Sequence, residues 1–537
     1  VTAAYIIVYA FGTGGRTVAI LDQCRMFLRL GISPTIVTFN FDANFSQRIQ
    51  SRRDNGDIPD GTRVINIYEE LRSEAAPADE PTSLTEPAET CMTASHLDGS
   101  TTVTSHFDRA GRLLESRHLR QDGTALRTIG YADEIPVRRL EFDATGSPLR
   151  ELTLTAAGAV ASERYLAADG FCYVTRKLNP DTGKQEGIFV HDRNGAPSTR
   201  YAHNTPWHTS WLDTILSREP RTLMAIAESP SAMTKLLDTS ANSATKMYFV
   251  HDNHFKSPYT LGSPLRDDYS GPFRRSQDMD TIICPTAAQA DDLRATLPDA
   301  PRISSVPNVI RDKRSPKPAS SVPGRIGVFC RLAAEQKRVD LLLRIFSTVL
   351  ERRPDARLEI FGDGPDRGRL EKIAKDLSLT GSVTFHGRID GVGDAMASCA
   401  VTATTASSEA FGLSIGESLA AGTPVISFAI NYGPRDLIRD GVDGRLIDEA
   451  DESAYAEALI ALLDVQEQTA AMGERGAQRM AEEFSLEAVT EEWGALIQDV
   501  TGWDLNRADG RPDVTTGGTA STTGRLRRWL RGGTTTD

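Results

Sequence analysis

Twice in this chain a strand of buried type runs into a glycine-bearing turn and then a helix, and no other feature limits the fold as much. The first case starts at Tyr5 to Ala10, passes through Phe11-Gly12-Thr13-Gly14-Gly15-Arg16, continues as a helical pattern to about Leu30 and reaches a second strand, PTIVTFNF. The second is Gly324 to Leu343, GRIGVFCRLAAEQKRVDLLL, followed by a further strand in ARLEIFGDGPDRGRL. Strand, turn, helix, strand is the unit of a parallel sheet with crossover helices, and ligands of such sheets sit at the carboxyl ends of the strands. The first turn lacks the full G-x-G-x-x-G fingerprint, so it does not point to NAD. Its glycines let the backbone approach a ligand, or pack tightly under the helix.

Between these units the chain changes character. From about Thr93 to Tyr201 short strands recur with Asp-x-x-Gly or similar turns, as in HFDRAGRLLESRHL and EFDATGSPLRELTL. Such punctuation and alternation predict an antiparallel meander. Hairpins of this kind bury little by themselves, so packing on a partner chain or carriage of a long acceptor is expected. Helix and strand alternation resumes near Thr209. The reading is therefore an N-terminal Rossmann-like domain in two parts, 1–92 and 202–312, split by the meander 93–201. Residues 313–323, with DKRSPKPASSVPG around them, read as a hinge. A second Rossmann-like domain spans 324–484, a helix 485–505 closes the fold, and 506–537 read as a disordered tail whose GRLRRWLRGG is solubilising or touches an anionic membrane surface.

A chain of 537 residues exceeds one core and implies two or three domains. Its formal charge of −13 argues against a general nucleic-acid binder. The six cysteines are scattered without a C-x-x-C pair, as reduced thiols in a cytosol would be. No apolar run reaches the length of a membrane span, and the start has no basic region followed by an apolar one, so a cytoplasmic protein is expected. The first residue is Val rather than Met, which reads as an alternative start or a clipped end.

Candidate chemistry concentrates in the second half. Ser407 to Gly422, SSEAFGLSIGESLAAG, holds Glu409 and Glu417 eight residues apart. Phe411-Gly412-Leu413 reads as a turn feeding a helix, with Glu409 in the loop before it and Glu417 in its second turn. The first turn of that helix offers unpaired backbone N–H groups to a phosphate. Arg331 and Lys337 follow a strand, a planar fork and a point charge suited to a diphosphate. Read alone, each of these is a solvated surface charge. No D-x-D or His/Asp cluster is placed to hold a metal, so no metal or other cofactor is expected.

The order R-x5-K, G-x-G-P, F-x-G, E-x7-E, then TPVISF and NYGPRDLI, from about Gly324 to Asp448, resembles the nucleotide-binding half of retaining GT-B glycosyltransferases of the GT4 type. With the inserted meander, the wider pattern over 1–505 resembles bacterial teichoic-acid α-glycosyltransferases and the related adhesin O-GlcNAc transferases. The resemblance implies an α/β GT-B fold, two Rossmann-like domains facing a cleft with an antiparallel β-meander inserted in the first. It implies transfer of glucose or N-acetylglucosamine from a UDP-sugar to a polyol-phosphate polymer, with retention. The alternatives are a protein acceptor rich in Ser/Thr, and a non-catalytic partner subunit. Arg331 and Lys337 would stabilise the departing diphosphate, Glu409 would contact the donor sugar beside Phe411, Gly412 and Leu413, and Glu417 the ribose. His386, Gly387 and Arg388 would hold the base, Gly14 and Gly15 would face diphosphate and acceptor, and His251 would bind and polarise near the anomeric centre, with His254 and Asp252 as lesser candidates. The family also implies trimerisation through the meander and, at most, peripheral contact with the inner membrane face.

Overall fold

The computed structural model describes residues 2–505 except 13, 76–86, 242–243, 316–320 and 450. The tail 506–537, and part of the connection and hinge read from the sequence, lie outside the described residues. Three sheets organise the rest.

The N-terminal sheet has seven parallel strands. Its centre is the strand Thr2–Ile7, flanked on one side by Ile32–Thr38 and Arg63–Asn66 and on the other by Thr222–Ala227, Thr245–Phe249, Thr281–Cys284 and Ile303–Ser305. Numbered along this sheet, the order is 3-2-1-4-5-6-7. The C-terminal sheet has six parallel strands: Val322–Phe329 is central, with Arg357–Phe361 and Val383–Gly387 to one side and Cys399–Thr404, Val425–Phe428 and Gly444–Ile447 to the other. Its order is 3-2-1-4-5-6. In each sheet the strand order reverses between strands 1 and 4, and loops at the carboxyl ends there diverge to leave a crevice. The central strand Thr2–Ile7 is buried along its length, as a strand covered by helices on both faces must be.

Several boundaries differ from the sequence reading. GTRVINIY is not one strand: Asn66 ends it, and its side-chain oxygen accepts from Tyr68 N–H at 2.9 Å to start the helix Ile67–Glu74. Asn at this position satisfies an orphan helix N–H, and that local gain stops the strand. The sheet of the second domain begins at Val322, so Val322 and Pro323 belong to it rather than to a hinge.

The ten antiparallel strands from Met92–Asp98 to Thr199–Tyr201 form a sheet in sequence order, inserted after the helix Ile67–Glu74. One end of it packs on its own chain. Tyr165 sits against Phe41 at 5.0 Å and Tyr68 at 4.6 Å between ring centres, and Tyr173, Val174 and Ile188 join the N-terminal core. The opposite end does not: every residue of Met92–Asp98 is exposed. Within the sheet Arg117 pairs with Glu115 and Arg138 with Glu151.

The helix Leu486–Thr501 returns to the first domain. Trp493 is buried against Phe27, edge to face at 5.3 Å, and against Phe249 at 6.1 Å. Ser485 caps this helix by accepting from Ala488 N–H at 3.3 Å. Ser485→Ala is expected to cost about 1 kcal/mol, the usual loss of a cap, read as a lower urea midpoint of the first domain. An unchanged midpoint would show that the cap contributes nothing.

Candidate active site

The two switch points face one another across a cleft of about 380 Å³, within the range of sites for small ligands. Gly15, Arg16, His251, Asp252, Asn253, Arg266 and Asn308 line the N-terminal side. Phe329 to Arg331, Gln336, Lys337 and Ser408 to Ser414 line the other. The walls touch: a methyl group added at Gly15 would lie 3.1 Å from Leu413 Cδ1.

The C-terminal wall is made of two loops fastened together. Arg331 leaves the end of the central strand, and the short helix Ala334–Lys337 carries Lys337. Ser407 N–H donates to Gln336 O at 2.9 Å, Gln336 Nε2 donates to Ser408 O at 3.3 Å, and Thr405 Oγ1 donates to Lys337 O at 3.2 Å. Lys337 Nζ donates to Glu409 Oε1, both side chains being 16 % exposed. Arg331 forms no ion pair among the described residues, so its guanidinium is available to an anion. Gly412 turns the chain into the helix Leu413–Ala420 with φ of 87°, a conformation that side-chain-bearing residues adopt at a cost.

His251 lies just beyond the strand Thr245–Phe249, its Nε2 bonded to Glu228 Oε2. Beside it Arg16 Nη2 donates to Asp252 Oδ2 at 3.1 Å. His254 does not reach the cleft lining. Fully buried, it stacks on Tyr432 at 6.0 Å, and burial pulls its pKa down to about 3, so it is a neutral ring at the interface between domains. Cys330 is no nucleophile at neutral pH, since burial pushes its thiol up to about 11.

Of the residues singled out in the sequence, Gly15, His251, Asp252, Arg331, Lys337, Glu409, Phe411, Gly412 and Leu413 share this cleft. Gly14 precedes it as the N-cap of the helix Gly15–Arg29. Glu417 is outside the lining, on the helix Leu413–Ala420, and accepts from Lys313 Nζ at 2.5 Å. His386, Gly387 and Arg388 are outside it too. Phe329 stacks on Phe361 at 4.7 Å, and Phe361 on His386 at 4.5 Å, so the rings space His386 from the cleft. His386 Nε2 is 2.9 Å from Glu359 Oε2. The sequence reading missed Arg16, Arg266 and Glu228. Arg16 directly follows the glycine turn and could have been found there; the other two carry no local signal.

The glycosyl transferases group 1 family model matches residues 311–479, the stretch that holds this wall. The chain carries a group 1 glycosyltransferase domain in a GT-B fold. Its curated relatives include the poly(ribitol-phosphate) alpha-N-acetylglucosaminyltransferase of Staphylococcus aureus (strain COL), 21 % identical over 89 % of this chain and 96 % of that protein. The poly(glycerol-phosphate) alpha-glucosyltransferase of Bacillus subtilis (strain 168) is 28 % identical over 47 % of this chain, which spans 37 % of that longer protein. Among solved structures TarM superposes with a TM-score of 0.83 at 19 % identity, over 92 % of this chain and 98 % of that one. The pneumococcal O-GlcNAc transferase GtfA, in complex with UDP and GlcNAc, superposes with a TM-score of 0.75 at 19 % identity, over 93 % and 99 %. Among the described residues no helix is long and apolar enough to cross a membrane, and no cluster of His, Cys, Asp and Glu is grouped to hold a metal ion.

Proposed function

We propose that this glycosyltransferase moves glucose or N-acetylglucosamine from a UDP-sugar to a polyol-phosphate polymer, with retention at the anomeric carbon and without a metal. The observation that carries the reading is the unpaired Arg331 next to the Lys337–Glu409 pair, facing His251 and Arg16 across one cleft. As the sugar–phosphate bond breaks, negative charge grows on the diphosphate, and donors already aimed there stabilise it without reorganising. Arg331 offers a planar fork. The Lys337 ammonium has three protons, so it keeps one on Glu409 and offers the others to phosphate oxygens. Glu409, fixed by that bond, accepts from donor-sugar hydroxyls, and His251 approaches the sugar from the other wall.

The relatives named for poly(ribitol-phosphate) and poly(glycerol-phosphate) support a polyanionic acceptor. Glu417 with Lys313, and the strand end carrying His386, Gly387 and Arg388, supply the ribose and base contacts in this reading. Self-association uses the exposed strands at the free end of the inserted sheet, and the enzyme acts on the cytoplasmic side of the membrane.

The test is UDP release by the purified chain, offered UDP-glucose and UDP-N-acetylglucosamine separately, each with poly(glycerol phosphate), poly(ribitol phosphate) or a Ser/Thr-rich polypeptide. Release from one donor that depends on a polyol phosphate is expected. Release that depends only on the polypeptide would replace the acceptor by a protein. No release under any condition would make the chain a non-catalytic partner.

A further inference from the structure

Behind His251 lies a carboxylate that the function above does not use. Glu228 follows the strand Thr222–Ala227 and is 1 % exposed. Its strand is a parallel neighbour of Thr245–Phe249, with Ala227 opposite Tyr248, so the residues just past the two ends come side by side. Glu228 N–H donates to Ile7 O at 3.0 Å, which ties it to the central strand as well. Its Oε2 meets His251 Nε2, and its Oε1 is buried without a hydrogen-bond partner. No Lys or Arg among the described residues pairs with it.

A carboxylate enclosed in this way is costly unless a proton donor reaches it. The His251 ring is that donor, so Nε2 carries a proton directed at Glu228. Nδ1, which has no protein partner among the described residues, is then the lone-pair nitrogen of a residue lining the cleft. The other ionisable groups that face the pair leave this assignment alone. Cys24, on the helix Gly15–Arg29, is a neutral thiol, pushed up to about 12 by burial, and Asp252 is paired with Arg16.

We propose that Glu228 is a positioning residue: it holds His251 as the Nε2–H tautomer, so that Nδ1 accepts a hydrogen bond from a hydroxyl of the donor sugar. This rests on the transfer reaction proposed above. Glu228→Gln keeps the shape of the side chain but can turn an N–H toward Nε2, which then becomes an acceptor and moves the proton to Nδ1. An Nδ1–H opposes a hydroxyl that must donate to it. The expected result is a fall in kcat of about 10–100-fold, with the KM for the donor changed by less than about threefold.

Long-range proton–nitrogen spectra of the full chain labelled at histidine read the tautomer without any substrate, the His251 signals being those lost in His251→Ala. Nε2–H in the wild type and Nδ1–H in Glu228→Gln are expected. In a His251→Ala background Glu228→Gln is expected to cause no further loss of kcat. Nδ1–H in the wild type would overturn the proposal whatever the variant does. So would Glu228→Gln with wild-type kcat, or a further loss in the His251→Ala background, which marks a role in folding alone. If the wild type turns over neither donor, the proposed function fails while the tautomer result stands by itself.

Discussion

Lys337→Ala is expected to lower kcat by about 10²–10³-fold, equivalent to roughly 2.7–4 kcal/mol of lost transition-state stabilisation, the usual cost of one preorganised donor. The ammonium is not a surface charge with many substitutes. It sits at the end of a four-residue helix, bonded to Glu409, and that helix is latched to the Glu409 loop by main-chain and side-chain hydrogen bonds. Arg331 remains, so donor binding falls less than turnover. A second effect has to be separated from this one: Glu409 is left without its partner in a half-dry cleft. With both side chains 16 % exposed, water screens that loss, and a cost to folding of about 1 kcal/mol is expected rather than the several paid by a fully buried pair. Lys337→Ala combined with Glu409→Gln should recover the melting temperature without recovering turnover. Steady-state UDP release beside a thermal melt decides it. A kcat within about threefold of wild type would remove Lys337 from the chemistry.

How much of this was legible in the sequence depends on whether the signal was local. Arg331, Lys337, Glu409 and Gly412 stand in two loops that each follow a strand, and a strand followed by a helix places its loop at the carboxyl edge of a parallel sheet. Both parallel sheets follow from the same alternation, and the inserted antiparallel sheet follows from the Asp/Asn-Gly turns. Glu228 could not be found in this way, because its meaning comes from strand Thr222–Ala227 lying beside Thr245–Phe249, a pairing that skips the chain between them. Arg266 reaches the cleft from a loop with no pattern of its own. The expected base contacts sit farther off because F-x-G spacing locates a strand end but says nothing of the Phe329–Phe361–His386 stack lying between. Lys313 reads as linker chemistry in the sequence, yet it bonds Glu417. For the meander the sequence suggests packing on a partner chain or carriage of a long acceptor; one end of it packs instead on the chain's own Phe41, Tyr68 and Trp207.

Gly433→Ala is expected to damage stability and turnover together, although Gly433 is not in the cleft lining. A Cβ at this position would lie 1.7 Å from Phe411 O and 2.2 Å from Phe411 C. The obstacle is backbone, so no rotamer change relieves it, and the segments must move apart. They are joined on each side of the contact. Tyr432 N–H donates to Glu409 O at 2.6 Å, and Phe411 leads directly into Gly412 and the helix Leu413–Ala420. Tyr432 Oη also donates to Asp292 Oδ2 at 3.0 Å, which carries the strain to the other domain. Overpacking a close contact costs about 1–3 kcal/mol or more. Displacing Glu409 by about 1 Å is enough to lose roughly 10²-fold in rate, because the transfer depends on where the sugar is held. Gly368→Ala is the control: that exposed glycine lies in the helix Arg367–Asp376 with nothing within 4 Å of the new methyl, and the change should be neutral or stabilise by about 0.5–1 kcal/mol. Thermal melts and UDP release on both variants test the argument. Were Gly433→Ala to melt and turn over like wild type, the Phe411 carbonyl could not be the fixed wall against which Glu409 is placed.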